Sequence, residues 1–289
     1  MKLFAGILLL STAVLAQNKT PIIGAWEGNA TLRGQQIPLR LQITGSASNL
    51  KAALINGPEQ SSASSVTFSD GHLVIAFNYF ARTLDATLDN GQLTGTFGSA
   101  TPQATGNHPA APRTPIVLHP ATTAAVTPAA GAPDIKGDWE IAVQSAKGES
   151  AWQLRVDPVA KSPTIHAVIQ RIDGDTGSLF GTWTGQNYTV SHFTAAGPAL
   201  YTLTPQPDGT LLVSNLLAAE AQKAQQQNLT ARRPAEARKQ NLAAPTASTQ
   251  QTTVKDPNAP FTFSFPNLEG KTISNTDPQF EGKVVIVAV

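Results

Sequence analysis

Leu84-Asp85-Ala86-Thr87-Leu88-Asp89-Asn90-Gly91-Gln92-Leu93-Thr94-Gly95-Thr96-Phe97 decides the fold. Apolar and polar residues alternate on both sides of Asn90-Gly91, the period of a strand with one buried face. Asn-Gly readily adopts the positive φ angles that a two-residue hairpin turn requires. Asp70-Gly71 does the same between residues 65–69 and 72–77, and Ile37-Pro38-Leu39-Arg40-Leu41-Gln42-Ile43 alternates in the same way. Strands recurring at this spacing, with turn signals between them, predict an antiparallel sandwich or barrel over residues 22–98.

The opening of that unit returns further along the chain. Ile23-Gly24-Ala25-Trp26-Glu27 is matched by Ile135-Lys136-Gly137-Asp138-Trp139-Glu140, and each is followed by a polar loop and an alternating strand. A glycine beside a tryptophan on a first strand suits a barrel or sandwich end plugged by the indole. The Gly-x-Trp pattern is similar to the start of lipocalin-type barrels. Runs at 165–169, 180–183, 188–193, 199–203 and 208–213 complete a second β unit over residues 134–233. Residues 228–232 close its sheet, and the Ala- and Gln-rich residues 216–227 predict a short helix. Between the units, residues 99–133 are rich in Ala, Thr and Pro and read as a semi-rigid linker with at most one short strand, Ile116-Val117-Leu118. Residues 234–256 read as a second linker. The expected fold class is mainly β: two antiparallel barrel- or sandwich-like units ahead of a short C-terminal segment.

Composition narrows the function. Lys+Arg 20 against Asp+Glu 19 leaves a net charge of +1, without the basic face that a nucleic-acid binder needs. Met1-Lys2, the apolar run of residues 3–10, and Val14 and Ala16 at cleavage spacing read as a secretory signal over residues 1–16. The protein is therefore expected to be exported, periplasmic or extracellular, with no membrane span once the signal is removed. The chain has no cysteine, so these residues cannot perform thiol chemistry themselves.

The last thirty residues carry a family likeness. Ala259-Pro260-Phe261-Thr262-Phe263-Ser264-Phe265-Pro266-Asn267-Leu268-Glu269-Gly270-Lys271-Thr272-Ile273-Ser274 reads as a hairpin with a Glu-Gly-Lys turn. Phe280-Glu281-Gly282-Lys283 then leads into Val284-Val285-Ile286-Val287-Ala288-Val289, a run typical of a strand buried on both faces. This order resembles the opening of thioredoxin-like domains of the TlpA-like and alkyl-hydroperoxide-reductase (redoxin) group. The likeness implies a truncated α/β thioredoxin-like domain over residues 257–289, with the catalytic cysteine or Cys-x-x-Cys pair beyond Val289. A helix N-terminus there favours the thiolate. It also implies protein disulfides or peroxides as substrates, no cofactor, and a parent thiol–disulfide oxidoreductase or thiol peroxidase. Asp173-Gly174-Asp175-Thr176-Gly177-Ser178-Leu179-Phe180-Gly181 is similar to a hairpin in the paired β domains that precede some redoxin domains.

Other constellations read as structural. His72, His108, His119, His166 and His192 lack metal-site spacing, so no metal site is expected. Glu27 and Glu140 are equivalent across the repeat but belong to different units, unlike the facing carboxylates of a glycosidase. Arg232, Arg233, Arg238 and Lys239 read as a solvated tether. Asn18, Asn29, Asn187 and Asn228 head Asn-x-Thr triplets that matter only in a glycosylating host. No phosphate-binding glycine loop or nucleophile elbow occurs. The alternative to the redox reading is a secreted, non-catalytic β-barrel that binds a partner or a small apolar ligand, its pocket lined by some of the four tryptophans.

Overall fold

The computed structural model describes residues 22–100, 112–122, 127, 129–246, 256, 258–259, 262–267 and 269–284. The expected signal, His108, Asn18 and the apolar run from residue 285 onward lie outside the described residues. The chain is mainly β and forms two compact units, residues 1–246 and 247–289.

The larger unit holds two sheets. The first is built from β1 (Gly24–Leu32), β2 (Gln35–Ser46), β3 (Asn49–Asn56), β4 (Glu59–Ser62), β5 (Ser65–Ser69), β6 (His72–Phe77), β7 (Arg82–Asp89), β8 (Gln92–Ser99) and β9 (Thr114–Pro120). Its order is β4-β3-β2-β1-β9-β8-β7-β6-β5, curled into a half-barrel. Three tight turns drive it: Arg33-Gly34, Asp70-Gly71 and Asn90-Gly91 all have positive φ at both residues, the geometry that matches strand twist. On β2 the side chains of Ile37, Leu39, Leu41 and Ile43 are buried while Pro38 and Arg40 face out, as the alternation demands. The one short strand allowed at residues 116–118 within the Pro-rich stretch is present and longer, as β9. Residues 114–120 are not a spacer: they pair with β1 on one side and β8 on the other, and bury Ile116 and Leu118. Their alternation was short and flanked by prolines, but Pro115 and Pro120 face outward where burial makes no demand.

The second sheet contains β10 (Gly137–Ala142), β11 (Ala151–Pro158), β12 (Ile165–Arg171), β13 (Gly174–Asp175), β14 (Leu179–Trp183), β15 (Tyr188–Thr194), β16 (Gly197–Pro205), β17 (Leu211–Asn215) and β18 (Leu229–Arg232). Pairing runs β11-β10-β18-β17-β16-β15-β14-β12, and β11 also pairs with β12, so eight strands close into a barrel with β13 as an appendage. The helix expected over residues 216–227 shrinks to a 3₁₀ turn at Glu220–Gln222 and α1 at Lys223–Gln226. Leu216 N–H donates to the Leu200 carbonyl, and Asn215 Oδ1 accepts from Leu217 N–H, which holds the segment before α1 against the barrel instead. Within the second expected linker, Pro234–Lys239 form α2, opened by the proline whose missing N–H costs nothing at a first helical position.

The two sheets share a core. Phe193 on β15 and Leu200 on β16 point out of the barrel, and with Ala195 and Leu217 they join the apolar cluster of the first sheet. Phe97 and Phe193 meet edge-to-face with ring centroids 5.0 Å apart. Around this seam, Asn56 Nδ2 donates to the Ser178 carbonyl at 2.9 Å and Ser178 Oγ donates to Glu59.

In the smaller unit, β19 (Ser264–Pro266) and β20 (Thr272–Ser274) form the expected hairpin. Asn267 Oδ1 accepts the N–H groups of Glu269 and Lys271, and Gly270 takes the left-handed φ of +79°. Phe263 packs edge-on against Phe280 at 5.6 Å.

Candidate functional site

The barrel has a sealed end and an open one. At the sealed end Trp139 is buried, and its indole N–H donates to the Ile135 carbonyl at 2.9 Å. Trp26 repeats this bond to Ile22 at the same distance, and Gly24 and Gly137 both carry positive φ. The repeated Gly-x-Trp pattern thus has one geometry in both sheets. In the barrel the seal is completed by Arg233, whose guanidinium lies 3.8 Å over the Trp139 ring and donates to the Lys136 carbonyl at 2.8 Å. Trp183 leans on Tyr188 nearby, and Tyr188 O–H donates to the Pro133 carbonyl.

The solvated-tether reading of the basic cluster is therefore corrected. Arg233 stacks on an aromatic face, where a cation is attracted by the ring quadrupole. Arg238 pairs with Glu140, and Lys239 with Glu236 across one turn of α2. Arg233 and Arg238 tie α2 and its start to β10 and the residue before it, while the Lys239–Glu236 pair stays within the helix.

At the open end, inward positions on three strands present Trp152, Arg171 and Tyr201. Arg171 Nη2 donates to the Tyr201 hydroxyl at 2.9 Å, and its guanidinium sits 4.7 Å from the Trp152 ring centroid. Burial raises the Tyr201 pKa, with the Arg171 charge and hydrogen bond pulling the other way. Behind them Glu149 is buried: its carboxylate accepts from Ile172 N–H at 2.6 Å, Trp152 Nε1–H at 3.0 Å and Ser145 O–H at 2.9 Å. Three donors on one buried carboxylate fix the indole and the loop that carries it.

The void among these mouth residues is only about 10 Å³, room for about one water. Trp26 and Trp139 are core, Trp183 belongs to the seal, and Trp152 lines the mouth. Two larger spaces flank the mouth. One is a cleft of about 330 Å³ bordered by Arg33, Arg171 and Tyr201. The other is a groove of about 1100 Å³ between the 142–150 loop and α1, whose lining is uncharged.

The remaining expected positions do not converge. His72 is bonded to Asp85 at 2.8 Å on an exposed strand face, and His119 is exposed on β9. His166 stacks on Phe180 at 5.0 Å. His192 lies at the seam between the sheets, where burial lowers its pKa. Glu27 accepts from Thr122 N–H and O–H; the backbone bond is the main cause of its lowered pKa. The two equivalent repeat positions are thus each satisfied within their own unit, Glu27 by Thr122 and Glu140 by Arg238. Asn29 lies on β1, and Asn187 and Asn228 in turns. Among the described residues no group of three or more His, Asp or Glu suits a metal ion, and no helix is long and apolar enough to cross a membrane.

Arg171, Tyr201 and Glu149 are not among the candidate residues of the sequence. Arg171 left a signal: Ala167, Ile169 and Arg171 share one face of β12, so a charge stands at an inward position. Glu149 sits in a polar loop and left none. Comparison with family models, with curated proteins and with solved structures gives no match to this chain.

Proposed function

We propose that this chain supplies the β scaffold of an exported thiol–disulfide oxidoreductase or thiol peroxidase of the redoxin group. The redox centre belongs to a thioredoxin-like fold that opens within residues 257–289, and the two sheets position that domain or hold its client. The observation that carries the reading is the β19–β20 hairpin, whose Asn267–Gly270 turn leads through Phe280-Glu281-Gly282-Lys283 to the β-branched run. The chemistry is thiolate attack on a disulfide or peroxide, and no residue of this cysteine-free chain performs it. The leader over residues 1–16 supports export. The test is the coding sequence 3′ of the Val289 codon. A Trp-Cys-x-x-Cys motif or a lone cysteine within about ten codons is expected; a stop codon there removes the oxidoreductase reading.

A second reading is favoured by the barrel mouth: a non-catalytic binding protein. Arg171 and Tyr201 face inward at the rim of an otherwise apolar, packed barrel and border the 330 Å³ cleft. Few, convergent polar groups at the mouth of a barrel are what small-molecule sites use to orient a ligand.

A further inference from the structure

The barrel wall parts beside β10. There β18 pairs with β10 at two positions, Glu140↔Arg232 and Ile141↔Ala231, and beyond them a groove opens between the two. On its other side β10 keeps its neighbour. Ala142 pairs with Ala151, Val143 N–H donates to the Ser150 carbonyl, and Ser145 N–H donates to the Glu149 carbonyl. Successive residues of an extended chain turn their backbone groups to opposite sides. Val143 and Ser145 turn toward β11, so Gln144 turns its N–H and carbonyl to the parted side. Among the described residues neither group makes a hydrogen bond. An unpaired strand edge of this kind is a template for another strand.

Residues 142–146 form one wall of this groove and residues 221–226, with α1, the other. Its volume, about 1100 Å³, exceeds the roughly 300–1000 Å³ of small-molecule pockets. The floor is apolar: Val143, Trp152 and Leu229 are half-buried and pack on the barrel core. The rim is exposed and carries amides, those of Gln144, Gln222 and Gln225. Among the described residues no charged side chain lines the groove, and Lys147 of the same loop pairs with Asp173. An ionised group entering it would give up water without gaining a partner, so the lining selects a neutral occupant. A strand edge that faces a helix across an apolar floor suits an extended peptide. Main-chain hydrogen bonds then give affinity, and the floor takes alternate side chains.

We propose that this groove binds an uncharged, extended polypeptide segment, which adds as a strand at Gln144 and lays alternate apolar side chains on Val143, Trp152 and Leu229. The site needs no thiol and leaves the cleft beside the mouth aside, so it goes beyond both readings above. The test is calorimetric titration of the full chain with separate probes. These are the capped peptide Ser-Thr-Val-Thr-Leu-Thr-Ser, the same peptide with every backbone N–H methylated, and the neutral sugar cellohexaose. The peptide is expected to bind saturably at one per chain, with the methylated form and the sugar each weaker by about tenfold or more. Ala224→Arg projects a charged side chain into the groove from an exposed position on α1, where arginine suits a helix. Gln144→Pro removes the edge N–H without breaking an internal hydrogen bond. Each is expected to weaken the peptide by about tenfold or more, and circular dichroism checks both folds. Equal binding of the methylated peptide overturns strand addition. Cellohexaose binding as tightly as the peptide overturns the peptide assignment. A peptide affinity untouched by Ala224→Arg overturns the site, and one untouched by Gln144→Pro overturns pairing at Gln144. No binding of the peptide overturns the proposal.

Discussion

His192 on β15 occupies the seam between the sheets, with the Gly177 backbone crowding its ring: a Cβ added there would stand 3.3 Å from the imidazole. Its Nδ1 is buried without a hydrogen-bond partner. Burial holds its pKa below the ordinary imidazole value, while the Ser178 carbonyl and the carboxylates of Glu59 and Asp175 act the other way. The unfolded chain therefore takes up a proton at this position more readily than the folded one. Stability from this site is full above the unfolded pKa of about 6.5 and drains away as pH falls toward the lower folded value. The melting temperature is expected to fall between about pH 7 and pH 5.5, in the window set by that unfolded pKa. In His192→Gln that part of the profile should flatten. Parallel pH profiles for the two proteins would show that His192 is not the titrating group.

At the scale of the element, the Asn90-Gly91 hairpin shows how tightly these strands approach. A Cβ built on Gly95 of β8 would lie 2.0 Å from the Asp85 carbonyl oxygen and 2.5 Å from the Ala86 Cα, both backbone atoms of the paired strand. Neither can move without bending β7, so Gly95→Ala is expected to destabilise the protein by about 1–3 kcal/mol, the usual cost of overpacking. Gly34→Asn is the control: nothing lies within 4 Å of its added Cβ, and asparagine accepts the positive φ. Its expected cost is that of the left-handed conformation alone, about 1 kcal/mol or less. Denaturant midpoints give both values, and equal losses would mean that the close strand approach at Gly95 is not a constraint. The hairpins themselves were legible because the turn chemistry of Asp70-Gly71 and Asn90-Gly91 and the two-residue period depend only on neighbours in sequence. Of β9 only the short run at residues 116–118 was legible, because its full length and its place between β1 and β8 are fixed by partners far away in the chain. The same holds for the mouth. Arg171 meets Trp152 and Tyr201 only after β11, β12 and β16 have closed the ring, and the length of residues 216–227 that stays helical is decided by Leu200 and Asn215.

For the larger unit as a whole, the question is whether its sheets are two domains or one folding body. Each sheet repeats the same opening, a positive-φ glycine and a buried tryptophan bonded four residues back, which argues for two related modules. Domains joined by a flexible linker keep separate cores. Here Phe193 and Leu200 leave the barrel surface and enter the core of the half-barrel, where they are 2% and 3% exposed. The half-barrel needs them, because an open curled sheet leaves one side of its apolar face without a partner. Phe193→Ala is expected to cost about 3–5 kcal/mol, the range for deleting a buried aromatic side chain. The informative readout is where the loss is felt. Amide hydrogen exchange on the full chain should quicken both in β7, within the half-barrel, and in β11, which pairs only with other barrel strands. Faster exchange confined to β7 would mean that the barrel stands alone and the half-barrel leans on it. Faster exchange in both follows if the seam makes the two sheets one cooperative unit, since global opening then exposes every strand together.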